Sequence, residues 1–406
     1  MKYDFDKVTD RTNTNSLKYD FAKERGKPDG VLPMWVADMD FPAPPPVLED
    51  IKKAVAHGIF GYTEVKRDYY LAVSEWFRKW FDYDVSEEEI VKTPGIVFAL
   101  AQMVRAYTNP GDSVMIQTPV YYPFYEIIRD NNRTIVKNPL VYKNGKYFMD
   151  FEDFERKAVQ NNVKLFILCS PHNPVGRVWN KDELQAINEI CERYGILIIS
   201  DEIHCDFIYE GHPHTVFGHI NENAIICTAP SKTFNLAGLQ ASNIFIKNAE
   251  LRRKLAYEIQ KSGYSQLNTL GLIACMSAYL NGGEWLSQLK EYLWGNISLV
   301  REFLTAQLPE IKLIEPEGTY LLWLNFSSLG LTQKELDNLI TNKAKLWLSS
   351  GTAFGEEGNG FWRMNIACPR AILEDALLRL EGVLKHPIQC VHLPDTVVIC
   401  PSSDIV

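Results

Sequence analysis

The sequence lacks paired cysteines. Its eight cysteines, Cys169, Cys191, Cys205, Cys227, Cys275, Cys368, Cys390 and Cys400, are scattered, and none forms a CxxC pair. In a chain of this length without a secretory leader, that spacing reads as reduced thiols rather than a disulfide framework. The opening stretch, MKYDFDKVTDRTNTNSLKYDF, is polar and has no apolar h-region. No apolar run approaches the ~20 residues of a membrane span. A cytoplasmic location is therefore expected. Positive charge is in deficit: 42 Lys and Arg stand against 51 Asp and Glu, a net charge of −9. Nucleic acid and anionic membranes are poor partners for such a surface, although one local basic pocket for a small anion remains compatible with it. There is no Walker A motif, and the turn GEEGNG (Gly355–Gly360) does not match GxGxxG. His212, His214 and His219 lie close together without an acidic or thiol partner in sequence, so no metal site is expected. Internal repeats and low-complexity segments are also missing.

What is present is a long chain, 406 residues with 46% hydrophobic and 23% charged residues, sufficient for a large core and two or three domains. Five short apolar runs punctuate its middle: Ser113–Thr118, Lys164–Cys169, Ile196–Ser200, Ala224–Thr228 and Ser242–Ile246. Such runs predict strands buried on both faces of a mostly parallel sheet. Between the second and third lies KDELQAINEICERYG. Asn180 is a predicted N-cap with Glu183 three residues on, Leu184, Ile187, Ile190 and Cys191 share a face, and Gly195 supplies the stop. The pattern is strand–helix–strand, so a doubly wound α/β fold is predicted. Phe41–Pro46 (FPAPPP) reads as an extended linker. Beyond residue 286 come a helix at Leu289–Leu304, strands at Thr319–Leu324 and Phe361–Ile366, and a helix at Ala371–Leu384. The expected division is a large domain over 48–285, a small domain from 1–47 with 286–388, and a patternless tail at 389–406.

Ligands of open α/β sheets bind beyond the carboxyl ends of the strands. Just past these runs stand Tyr121 and Tyr122, Asn173, Asp201 with His204, and Ser231 with Lys232. Pyridoxal phosphate chemistry needs this assortment: a lysine amine for the aldehyde, an acid for the pyridine nitrogen, an amide for the ring oxygen and an aromatic face to stack on the ring. Thr93-Pro94-Gly95-Ile96-Val97 opens a stretch with Val97, Leu100, Ala101 and Val104 on one face, a helix start suited to the phosphate.

The segments SPHNPVGRVW, SDEIHCDF and APSKTFNLAGLQ carry a more specific signal. With LPMWVADMDFPAP, FGYTEV, TPGIVFAL, TPVYYPF and GNGFWRMNIACPR, in order from Leu32 to Arg370, the chain resembles the fold-type I, class I/II aminotransferase family. The finer resemblance is to its cystathionine β-lyase branch, the carbon–sulfur lyases of the MalY and PatB kind. The resemblance implies a seven-stranded, mostly parallel sheet between helices, a smaller α+β domain, and pyridoxal 5'-phosphate as cofactor. It makes Lys232 the residue joined to the cofactor and the proton shuttle, Asp201 the partner of the ring nitrogen, Asn173 the donor to the ring oxygen and Tyr121 the stacking ring. Tyr122 stands beside the substrate. The amides of Ile96 and Val97 and the Ser231 hydroxyl hold phosphate, and His204 lies near the ring oxygen. Tyr62 reaches the phosphate of a neighbouring subunit, which implies a homodimer with shared sites. Arg363 grips the substrate carboxylate with its guanidinium fork, and the Ala37 amide assists. One departure stands out: where the wider family has a phosphate-binding arginine eight residues after the lysine, this chain has Gln240.

The expected activity is cleavage of L-cystathionine or another cysteine S-conjugate to a thiol, pyruvate and ammonia. Two other readings stay open, an aminotransferase on the same fold and a regulatory protein that keeps the fold.

Overall fold

The computed structural model describes residues 2–385. The expected tail at 389–406, with Cys390 and Cys400, lies outside the described residues. A seven-stranded sheet forms the centre. From one edge to the other its strands are Ile90–Thr93, Ser242–Phe245, Ile225–Thr228, Leu197–Asp201, Val163–Cys169, Ser113–Thr118 and Thr134–Pro139. All neighbours are parallel except Ser242–Phe245, which runs antiparallel to both of its partners. The predicted α/β class and seven-stranded sheet are both observed.

Strand periodicity explains why the central runs are apolar throughout. Met115, Phe166, Leu168, Ile198 and Ile226 pack into one buried cluster. Their neighbours Val114, Ile116, Leu165, Ile167, Ile199 and Ile225 pack into a second. Alternate side chains thus enter opposite cores, and a polar residue on either face would lose its water. The helix Lys181–Arg193 carries the predicted Asn180–Glu183 capping box and ends before Gly195, at φ 64°. The proline cluster departs from the expected linker: Pro45 begins the helix Pro45–His57. Proline fits a first helical turn, where its missing N–H has no intrahelical acceptor and its φ is already helical.

A second, four-stranded antiparallel sheet places Lys312–Ile314, Leu321–Asn325, Phe361–Asn365 and Ser349–Ser350 side by side. The amino-terminal arm docks on it. Leu32–Pro33 pairs in parallel with Leu346–Trp347, and the Asp40 N–H donates to the Ala367 carbonyl at 2.9 Å. Arg11 pairs with Asp38 and Asp40, each at 2.7 Å, while buried Lys18 pairs with Asp40 at 2.8 Å. Among the described residues no helix is long and apolar enough to cross a membrane.

Candidate active site

The order in which the chain adds strands reverses between two parallel neighbours. From Ser113–Thr118 the sheet grows outward to Thr134–Pro139; from Val163–Cys169 it grows the other way. A crevice opens at such a switch point. There the Tyr121 N–H donates to the Asn173 carbonyl at 3.1 Å. A cavity of about 340 Å³ lies at this edge, lined by Ala37, Ile96, Val97, Tyr121, Asn173, Asp201, His204, Ser231 and Lys232 among others. Nine of the sequence-predicted residues therefore meet around one space.

Lys232 is presented by the short helix Pro230–Thr233, which follows the strand Ile225–Thr228. Its Nζ donates to the Ala37 carbonyl at 2.7 Å, which also accepts from the Tyr320 hydroxyl at 3.2 Å. Burial lowers the Lys232 ammonium to about 8, partly opposed by nearby Asp38 and Asp201. Asp201 ends its strand at the cavity floor. Its carboxylate accepts only the Ile203 N–H, at 3.2 Å, and burial pushes it up to about 7. Thr233, next to the lysine, donates to buried Asp206 at 2.6 Å, which ties this helix to the segment following Asp201. His204 is buried against Tyr320 with an unpartnered Nδ1, and burial holds its pKa well below the ordinary imidazole value.

Arg363 sits behind Asn173, outside the lining of the cavity. Its hydrogen bonds run to Asn173 Oδ1 at 2.9 Å, the Trp35 carbonyl at 2.6 Å and Ser349 Oγ at 3.3 Å, while Nε has no partner. It lies over the Phe354 ring, and burial lowers it to about 10. Among the described residues it has no carboxylate partner, so the guanidinium is buried next to the site without an anion.

These features match pyridoxal phosphate. The helix Ile96–Tyr107 starts at the cavity without a side-chain cap, which leaves first-turn amides free for a phosphate. The under-bonded Asp201 suits a protonated ring nitrogen. The Asn173 amide nitrogen is free to donate, because its oxygen is taken by Arg363. Gln240 lines the same cavity as a neutral residue.

Other placements differ from expectation. Val97 does not share the buried face of its helix with Leu100 and Val104; it is 40% exposed at the cavity, and Ile96, Ala99 and Met103 complete the buried face. Tyr122 is half-exposed, its ring 5.4 Å from that of Tyr121, and it faces an adjoining groove. Tyr62 is fully exposed, away from the cavity. His214 does have an acidic neighbour, buried Glu202 at 2.9 Å, contrary to the sequence reading. Cys169, Phe98 and Tyr320 were not anticipated. Cys169 closes a predicted strand, a position that marks the sheet edge; Tyr320 opens the run Thr319–Leu324, whose start gave no such cue.

The class I and II aminotransferase family model matches residues 32–380. The chain belongs to that family. Among curated members it is 43% identical to cystathionine β-lyase PatB of Bacillus subtilis, over 94% of this chain and 99% of the relative. It is 32% identical to protein MalY of Escherichia coli, over 94% and 99%. Cystalysin of Treponema denticola, whose solved structure contains a pyridoxal 5'-phosphate cofactor, superposes with a TM-score of 0.91 at 39% identity, over 95% of this chain and 99% of that one. Class I and II aminotransferase architecture thus accounts for the sheet and for the cavity at its edge.

Proposed function

We propose that the protein is a pyridoxal-phosphate-dependent carbon–sulfur β-lyase acting on L-cysteine S-conjugates such as cystathionine, with thiol, pyruvate and ammonia as products. The observation that carries this reading is the meeting of Lys232 and Asp201 in one buried cavity beside an Arg363 that has no carboxylate of its own. Likeness to cystathionine β-lyase PatB over nearly the full length of both chains favours lyase over aminotransferase.

When bound, the cofactor supplies an aldehyde for the substrate amine and a ring that accepts electrons from the amino-acid carbon. The protein's own groups do the rest. Arg363 takes the α-carboxylate in its fork and orients the Cα–H bond, with the Ala37 backbone alongside. Lys232 Nζ, held near 8 by burial, takes the Cα proton and serves as general base. Asp201 would pair with the cofactor's ring nitrogen and keep it protonated, which suits the ring to accept electrons from Cα as thiolate departs from Cβ. The Asn173 amide would donate to the ring oxygen, with His204 near it. Tyr121 would stack on the ring and Tyr122 would stand beside the substrate. Ser231 and the amides of Ile96 and Val97 would hold the phosphate, with Gln240 adding no charge.

The same reading takes 48–285 as the cofactor-binding domain and 1–47 with 286–388 as the small one, in a cytoplasmic homodimer. Exposed Ile59, Phe60 and Tyr62 support a partner surface on which Tyr62 enters the neighbour's site. A thiol-release and pyruvate assay with L-cystathionine tests the activity, run beside amino transfer to a 2-oxo acid. Thiol release in excess of amino transfer is expected; the reverse ratio makes the protein an aminotransferase.

A further inference from the structure

The cofactor cavity, about 340 Å³, leaves little room for the sulfur substituent that a β-lyase expels. A larger groove of about 750 Å³ adjoins it. Tyr122 is the hinge between the two spaces: its ring lies 5.4 Å from that of Tyr121, and it lines the groove. The inner wall of the groove includes Trp35, Ser349 and Phe354, the same residues that hold Arg363 from behind. The groove therefore shares a wall with the residues that hold Arg363.

Its chemistry is uneven. The floor is aromatic. Trp35 and Trp347 stack with centroids 4.4 Å apart at 11°, and Trp362 and Phe354 are buried beside them. The rim is basic. Arg25 lies 5.3 Å from the Trp35 ring and Lys27 5.5 Å from the Trp347 ring, and Lys334 also lines the groove. None of the three makes an ion pair among the described residues. Among the described residues Asp337 is the one carboxylate lining the groove, and it already accepts from Gln333 at 3.3 Å.

We infer that this groove is the leaving-group subsite and that it selects S-substituents with an aromatic body and an acidic far end. The inference rests on the β-lyase reading and names its substrate class. The faces of the Trp35 and Trp347 rings are taken by each other and by Arg25 and Lys27, so a flat substituent meets the half-exposed Tyr122 ring and the indole edges. Cations without a carboxylate partner at a half-wet rim favour an acidic end without the cost of full desolvation.

The test compares S-methyl-, S-benzyl- and S-(4-carboxybenzyl)-L-cysteine as substrates. The carboxylated benzyl conjugate should exceed the plain one about threefold in kcat/KM, the size of an exposed charge pair, and Lys334→Glu should erase that preference. Ala353→Trp, an exposed lining position, should lower kcat/KM for both benzyl conjugates about tenfold relative to S-methylcysteine, as expected for lost pocket volume. A second arm measures calorimetric binding of the carboxybenzyl conjugate to cofactor-loaded Lys232→Ala protein, with and without Ala353→Trp. Weaker binding in the double variant supports the groove; equal binding overturns it, as does a uniform loss across all three substrates. If the parent protein cleaves L-cystathionine but neither benzyl conjugate, the groove proposal is overturned and the lyase reading stands. If it cleaves neither L-cystathionine nor any of the three conjugates, the lyase reading falls, and calorimetry alone judges the groove.

Discussion

The Nη1 of Arg363 donates to Oδ1 of Asn173 at 2.9 Å, inside the protein. One amide thus joins two tasks. Its oxygen fixes the arginine proposed to meet the substrate, and its nitrogen is left for the proposed contact with the cofactor ring. Asn173→Ala should therefore damage both. Removing one hydrogen bond to a charged group costs about 1.5–3 kcal/mol, so KM should rise roughly 10- to 100-fold. Cofactor release should accelerate in the same variant. Steady-state kinetics and the rate of colour loss on dialysis measure the two effects; a change in KM alone would separate the tasks.

Arg363→Lys should not rescue Arg363→Ala. The guanidinium places separate N–H groups on Asn173, Trp35 and Ser349, and an ammonium on a flexible stem cannot keep that fork while meeting a carboxylate. Losing one side of a buried charge contact costs about 2–5 kcal/mol, or roughly 30- to 5000-fold in kcat/KM. Kinetics of both variants with L-cystathionine check this, and near-normal activity in the lysine variant would contradict it.

Asp201 makes the cofactor-free protein sensitive to pH. Burial raises its folded pKa from 3.8 to about 7. Across that window the folded protein keeps a proton that the unfolded chain has released, so stability falls as pH rises, by ~4 kcal/mol in all. Lys232 acts in the opposite sense at higher pH. Its folded value, about 8 against 10.5, means that the unfolded chain binds more protons, and stability returns as pH rises through that second window. Their joint contribution is least favourable between the two. In cofactor-free protein, Asp201→Asn should melt near the parent at about pH 4 and well above it at about pH 7.5. Thermal melts across that range test the sign; a constant offset between the two proteins would refute it.

The residues legible from local pattern alone share one property: they end or follow strands rich in apolar residues, whereas Ala37, Tyr62 and Arg363 come only from the family resemblance. Tyr121, Asn173 and Lys232 come three or four residues after Thr118, Cys169 and Thr228, and Asp201 ends its own strand. A parallel sheet collects such positions at one edge, so local pattern suffices. The two edge strands were harder to see. Ile90–Thr93 and Thr134–Pro139 include half-buried Lys92 and Lys137, because an edge strand has a wetter side, and a fully buried Asn138 bonded to Gln117 and Asp153; all three interrupt the apolar run. Trp35 and Ser349 were invisible for a different reason. Trp35 meets Arg363 through its backbone carbonyl, which every residue type has, and Ser349 reaches it from a distant segment of the chain. The groove behind them depends on how the arm docks on the second sheet, a long-range fact with no local pattern.

Lys232 carries the covalent part of the proposal. Lys232→Ala should abolish thiol release. In the parent protein, borohydride treatment of the loaded enzyme should attach the cofactor permanently to that residue, a mass increase that peptide mass spectrometry locates. Attachment at another lysine, or turnover in the variant, would move the chemistry elsewhere.

Tyr62 is fully exposed and cannot serve its own cavity from where it stands, since it borders a separate surface with Tyr264 and Asn268. If it completes the neighbour's site, two inactive variants should help one another. Chains bearing Lys232→Ala and chains bearing Tyr62→Ala, unfolded together and refolded, form mixed dimers in which both lesions fall on one site and the other site is intact. Random pairing puts half of the dimers in that class with one working site each, so activity should recover to about a quarter of the parent value. Should the mixture show only the average of its two parents, Tyr62 acts within its own chain or not at all.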